Sequence, residues 1–148
     1  NGSYIKRDSM WPLAENKLGV YRENRRILLD TLEAELQDHK QHFEWTVPDG
    51  GFFSVFTFKR AAGAPVIQTD DALIEQLVKE HGIVVIPMYD FYPADARRRD
   101  PGAGMNQLRL SFCFSESQGD ARRADMREAV VAFCAAAKRL VGVVGDAS

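Results

Sequence analysis

The sequence predicts an α+β domain: a two-layer α/β sandwich with helices packed on a four-stranded, mixed or mainly antiparallel sheet, in the order α-β-β-α-β-β-α. Three observations predict it. From Leu13 to about Asp38 the apolar residues recur at helical spacing. Phe43–Val47 and Phe52–Phe58 are aromatic, β-favouring runs joined by Pro48-Asp49-Gly50-Gly51. Asn106–Phe114 alternates strictly, with Leu108, Leu110, Phe112 and Phe114 set against Arg109, Ser111 and Cys113.

Residues 1–12 are aperiodic and read as a lead-in, with Trp11-Pro12 as a breaker; residues 13–144 read as the domain. The first helix carries Leu18, Tyr21, Ile27, Leu28, Leu32 and Leu36 on one face. Its charged residues, Arg22, Glu23, Arg25 and Arg26 among them, read as a solvated face. The two aromatic runs form a hairpin whose glycines are free to adopt positive φ. Phe52–Phe58, nearly all apolar, is expected to be central in the sheet. Arg60–Gln68 is a loop. Thr69 is expected to cap a second helix, which has Leu73, Ile74, Leu77 and Val78 as its stripe and stops at Gly82. Ile83–Ile86 reads as a short buried strand ended by Pro87. Met88–Met105 is a long loop, a length that is often functional. Gly119 to about Val143 forms the last helix, with Met126, Val130, Phe133, Ala137 and Leu140 facing inward.

Composition narrows the function classes. With 148 residues, 45% apolar and 27% charged, the chain is globular, with core enough to fold without staples. A net charge of −2 gives no bulk attraction to nucleic acid, and Arg97-Arg98-Arg99 reads as a solvated loop. No apolar run is long enough to cross a membrane. Cys113 and Cys134 lack metal-binding spacing and point to a reducing compartment, hence a cytoplasmic protein. His39 and His42 have no further ligands nearby. The hydrolase, P-loop and dinucleotide motifs are missing, so a self-contained catalytic site is hard to assemble. The first residue is Asn, which suggests a piece of a longer product or one trimmed at its start.

Arg109 is the residue that asks for an explanation. It stands in mid-strand on the face opposite the leucines, and its planar fork matches a carboxylate bidentately. From the strand alone it could receive a substrate carboxylate, pair with one of the chain's own acids, or face solvent.

Four segments, in order, favour the first of these readings. Tyr21-Arg22-Glu23-Asn24-Arg25-Arg26 with Leu28, Leu29 and Leu32 resembles a Y-x-x-R-R-x-x-L-x-x-x-L helix. Pro48-Asp49-Gly50-Gly51-Phe52-Phe53 resembles a P-x-G-G-x-F hairpin. Gly82-Ile83-Val84-Val85-Ile86-Pro87 with Phe91 resembles G-V-x-V-x-P-G-x-x-F. Leu108-Arg109-Leu110-Ser111-Phe112 resembles I-R-L-S-F. Together they resemble the C-terminal small domain of the fold-type-I, class I and II, pyridoxal-phosphate-dependent aminotransferases. The likeness covers roughly Leu13 to Leu140.

That resemblance implies amino-group transfer between an amino acid and a 2-oxo acid, with Arg109 binding the substrate carboxylate. Gly50 and Gly51 would let backbone approach the substrate, and Tyr89 and Phe91 would line its pocket; a plain hairpin turn and core packing are the respective alternatives. The resemblance also implies a pyridoxal phosphate cofactor held by a large domain outside this chain, where the Schiff-base lysine is expected, and a homodimer. No catalytic residue, cofactor ligand or metal ligand is assigned here, and the fragment alone is expected to be inactive. Ser3-Tyr4-Ile5-Lys6 mimics the family's Ser-x-x-Lys, but Tyr21 follows too soon, so Lys6 reads as an ordinary lysine. Met88 departs from the family's glycine after the proline. Two other readings stay open: a decarboxylase, lyase, synthase or oxidase of the same superfamily, or a non-enzymatic domain that binds amino or keto acids.

Overall fold

The computed structural model describes residues 11–60, 66–114 and 116–143. Lys6 lies outside them. Four strands, β1 (Phe43–Trp45), β2 (Phe53–Phe58), β3 (Ile86–Pro87) and β4 (Gln107–Ser111), form one sheet in the order β1-β2-β4-β3. Every neighbouring pair is antiparallel. The principal helices are α1 (Trp11–Leu36), α2 (Asp71–His81) and, after a short α3 (Ala94–Arg99), α4 (Gly119–Leu140). The expected α+β class and the central place of β2 therefore hold.

Alternation along the strands divides the sheet into two faces. Phe43, Phe56, Phe58, Leu108 and Leu110 are buried and meet the helices. Phe56 stands edge-on to Phe133 of α4, with ring centres 4.9 Å apart. Leu28, Leu32 and Leu36 of α1 complete this layer. Burying each such side chain contributes about 1.5–3 kcal/mol. The other face carries Phe53, Val55, Thr57, Gln107, Arg109 and Ser111, which pair across β2 and β4.

Several local expectations are corrected. Trp11 and Pro12 open α1 and do not precede it. Proline is tolerated in a first turn, whose N–H groups lack helical partners anyway. Asp70, not Thr69, caps α2, accepting from Leu73 N at 3.0 Å. Thr69 is fully buried and donates instead to the carbonyls of Met105 and Gln107. Gly82, with φ 65°, ends α2 in the left-handed region as expected.

The Ile83–Ile86 run is not a buried strand. Only Ile86 and Pro87 pair with β4, Val85 alone is buried, and Val84 is 80% exposed. The long loop holds a 3-10 turn over Tyr89–Phe91 as well as α3. Gly104 lets this loop close: with φ +76°, a Cβ there would lie 2.7 Å from the Tyr92 ring.

Candidate carboxylate site

Arg109 sits at the centre of β4, opposite Val55 of β2 on one side and Ile86 of β3 on the other. Its guanidinium carbon lies 4.1 Å from the centre of the Phe53 ring and 5.3 Å from that of Phe91. Phe53 is its diagonal neighbour on the same face of the sheet, which the pairing of Phe53 with Ser111 dictates. Phe91 arrives from the 3-10 turn after β3. Aromatic faces attract a guanidinium while leaving its in-plane N–H donors free.

Those donors have no partner among the described residues. No carboxylate there lies within ion-pair distance of Arg109, and its buried Nε makes no hydrogen bond. A buried donor left unsatisfied costs about 1–3 kcal/mol. The described chain thus offers no structural ion pair to Arg109, and leaves a cation oriented by two rings and open to an anion. A cleft of about 490 Å³ between the Ile83–Ile86 segment, β4 and α4 also touches Arg109, but its walls, Leu110, Met126 and Phe133 among them, belong to the helix-facing side of the sheet. Neither Phe53 nor Phe91 lines it, so it is distinct from the space the guanidinium faces.

The other expected site residues fall in different places. Phe91 meets Arg109, and it is half-exposed. Tyr89 donates its hydroxyl to Asp71 at 3.0 Å, and that carboxylate raises the phenol above its ordinary pKa. Gly50 and Gly51 are exposed in the β1–β2 connection, with φ +84° at Gly51 and open space around both. The connection is tied to α1, where Arg25 Nε donates to Pro48 O at 2.6 Å and Tyr21 stands edge-on to Phe52. Phe53, the ring nearest the guanidinium, is a candidate site residue that sequence reasoning missed. It stands two residues from Val55, the strand partner of Arg109, a relation set by the β2–β4 register and not marked in the sequence.

The same elements recur in known proteins. Residues 15–120 match the model of the aminotransferase class I and II family. The chain belongs to that family. A curated relative of this aminotransferase chain is the (S)-3,5-dihydroxyphenylglycine transaminase of Amycolatopsis orientalis, 33% identical over 96 residues. The match covers 65% of this chain and 18% of the relative, so the chain spans about a fifth of that enzyme's length.

Solved aminotransferases share the fold. An archaeal alanine:glyoxylate aminotransferase is 25% identical with a TM-score of 0.58, over 82% of this chain and 24% of the other. The α-aminoadipate aminotransferase LysN of Thermus thermophilus, complexed with N-(5'-phosphopyridoxyl)-L-leucine, is 23% identical with a TM-score of 0.59, over 90% and 30% respectively.

Proposed function

We propose that this chain is the C-terminal small domain of a pyridoxal-phosphate-dependent aminotransferase, in which Arg109 receives the carboxylate of the amino acid and 2-oxo acid substrates. The observation that carries the reading is the unpaired, ring-flanked guanidinium at the centre of β4. A cation held this way and left without a counter-ion suits a planar anion that arrives from outside, and a carboxylate can accept two parallel N–H bonds from it. Arg109 thereby fixes the substrate's orientation, which is the entropic part of catalysis this chain supplies.

The cofactor implied by the family supplies the electron sink for the chemistry. As the family resemblance implies, the anchoring lysine is assigned to a large domain outside this chain. The chain alone is expected to be inactive, with the large domain of the same enzyme and a second subunit as its partners. Gly50, Gly51 and Tyr89 remain candidates for the rim of the substrate site, with Phe91 in its wall. Both cysteines are free thiols, which fits a cytoplasmic enzyme. No helix among the described residues is long and apolar enough to cross a membrane.

The test is product analysis with the enzyme that carries this chain, supplied with an amino acid and a 2-oxo acid. The reading expects a new amino acid and a new 2-oxo acid in equal amounts. Release of carbon dioxide or ammonia without exchange of the amino group would instead assign a decarboxylase or lyase of the same fold.

A further inference from the structure

Arg109 has no hydrogen bond or ion pair among the described residues to hold its head group, so its position depends on the backbone of β4 and on two rings. That backbone is unevenly supported. β2 pairs with β4 over five positions, whereas β3 pairs with it at only Ile86 and Pro87. Beyond Ser111 the strand leaves the sheet, held there by Phe112 N donating to Phe52 O at 2.9 Å.

A buried polar group meets the chain at this point. Asn24 of α1 is fully buried, and its Nδ2 donates to Phe112 O at 3.1 Å and to Phe114 O at 2.6 Å. Both donors of one amide are thus spent on the three residues that follow β4. The amide is itself held in orientation. Arg122 of α4, 5% exposed, donates from Nη1 to Asn24 Oδ1 and to Val20 O, and from Nη2 to Glu23 Oε2. An arginine can only donate, so the carbonyl oxygen of Asn24 must face it and the amide nitrogen must face the strand end. Arg123 holds the other oxygen of Glu23 at 3.1 Å.

We infer that Asn24, oriented by Arg122, is a positioning residue: it pins the end of β4 and so sets where Arg109 presents its guanidinium to the carboxylate. This rests on the carboxylate reading of Arg109. The network joins α1, β4 and α4 at the end of the strand least supported by the sheet. Displacing the strand end moves the guanidinium relative to its substrate and weakens its hold on the carboxylate first.

The experiment is steady-state kinetics of the enzyme carrying this chain, with Asn24→Asp beside Arg109→Lys. Asn24→Asp keeps the volume and the acceptor for Arg122 but replaces both strand-facing donors with an oxygen. The expected result is a rise of about tenfold in KM for the amino acid with kcat within about threefold, because a misplaced binding group costs far more than its contacts. Leu36→Ala, a core truncation outside this network, is the stability control, and at a matched loss of Tm it should leave KM at the wild-type value. Should Asn24→Asp fail to fold, Arg122→Met leaves both amide donors of Asn24 in place, removes the group that orients them together with its bonds to Val20 O and Glu23, and should show the same KM-weighted split.

A folded Asn24→Asp (or Arg122→Met in its place) with wild-type KM overturns the inference. So does a KM rise matched by Leu36→Ala. If Arg109→Lys leaves KM unchanged, the carboxylate reading fails and the inference falls with it. If Arg109→Lys raises KM while Asn24→Asp does not, only the positioning role is lost.

Discussion

The guanidinium of Arg109 lies against the face of Phe53, carbon to ring centre 4.1 Å, and no acid of the described chain competes for it. The ring orients the cation and its hydrocarbon body shields it from water. Phe53→Leu keeps much of the apolar volume and removes the π-face. A cation–π contact is worth about 0.5–2 kcal/mol, so KM for the amino acid should rise roughly two- to thirtyfold in the enzyme carrying the chain. Steady-state kinetics check this, and a thermal melt should shift little.

Gly104→Ala should loosen the loop that brings Phe91 to Arg109. The added Cβ would lie 2.8 Å from a second Tyr92 ring carbon and 2.9 Å from Tyr89 Cα, at a φ that L residues rarely adopt. The cost should be about 1–3 kcal/mol. Denaturant unfolding measures it, and amide exchange should quicken around Tyr89–Tyr92 before it does in the sheet.

Glu23 links the network to pH. The hydrogen bond from Arg122 is the main cause that lowers its pKa below the usual 4.5, with Arg123 adding attraction. A carboxylate with a depressed folded pKa stabilises the fold at pH above its unfolded value, and that contribution is lost as pH falls through the folded one. Wild type should therefore lose stability in acid over this window. Glu23→Gln should be less stable at neutral pH and should lose less of its stability on acidification. Thermal melts from about pH 2 to about pH 7, which spans the carboxylate range, report the difference.

The cysteines should react at very different rates. Burial pushes the Cys134 thiol up to about 12, and the residue is fully buried in α4. Cys113 is partly exposed just after β4. The thiolate is the reactive form. Iodoacetamide at about pH 8, close to the ordinary thiol range, should alkylate Cys113 and spare Cys134 until the protein is unfolded, as peptide mass spectrometry would show.

The fold was legible wherever periodicity and turn chemistry agreed. β4 declared itself by alternation, and the leucines it placed inward are buried. The ends were less legible. Thr69 and Asp70 are adjacent and both suit an N-cap, and the choice is made by carbonyls of Met105 and Gln107, far away in sequence. An apolar run cannot say how many of its residues pair, so the exposure of Val84 stayed hidden. Glu23 read as part of a solvated face because its partner, Arg122, lies on another helix. The position of Arg109 was legible from the strand. Its pairing with Phe53 depended on register between strands about fifty residues apart, which alternation alone does not carry.

The most direct test of the account is Arg109→Lys in the enzyme carrying this chain. A lysine keeps the charge and loses the planar fork and its fit between the rings. Charge-assisted hydrogen bonds of this kind are worth about 1.5–3 kcal/mol, so kcat/KM should fall by roughly ten- to a hundredfold, with KM for both the amino acid and the 2-oxo acid raised. Unchanged kinetics would contradict the account and remove Arg109 from the substrate site.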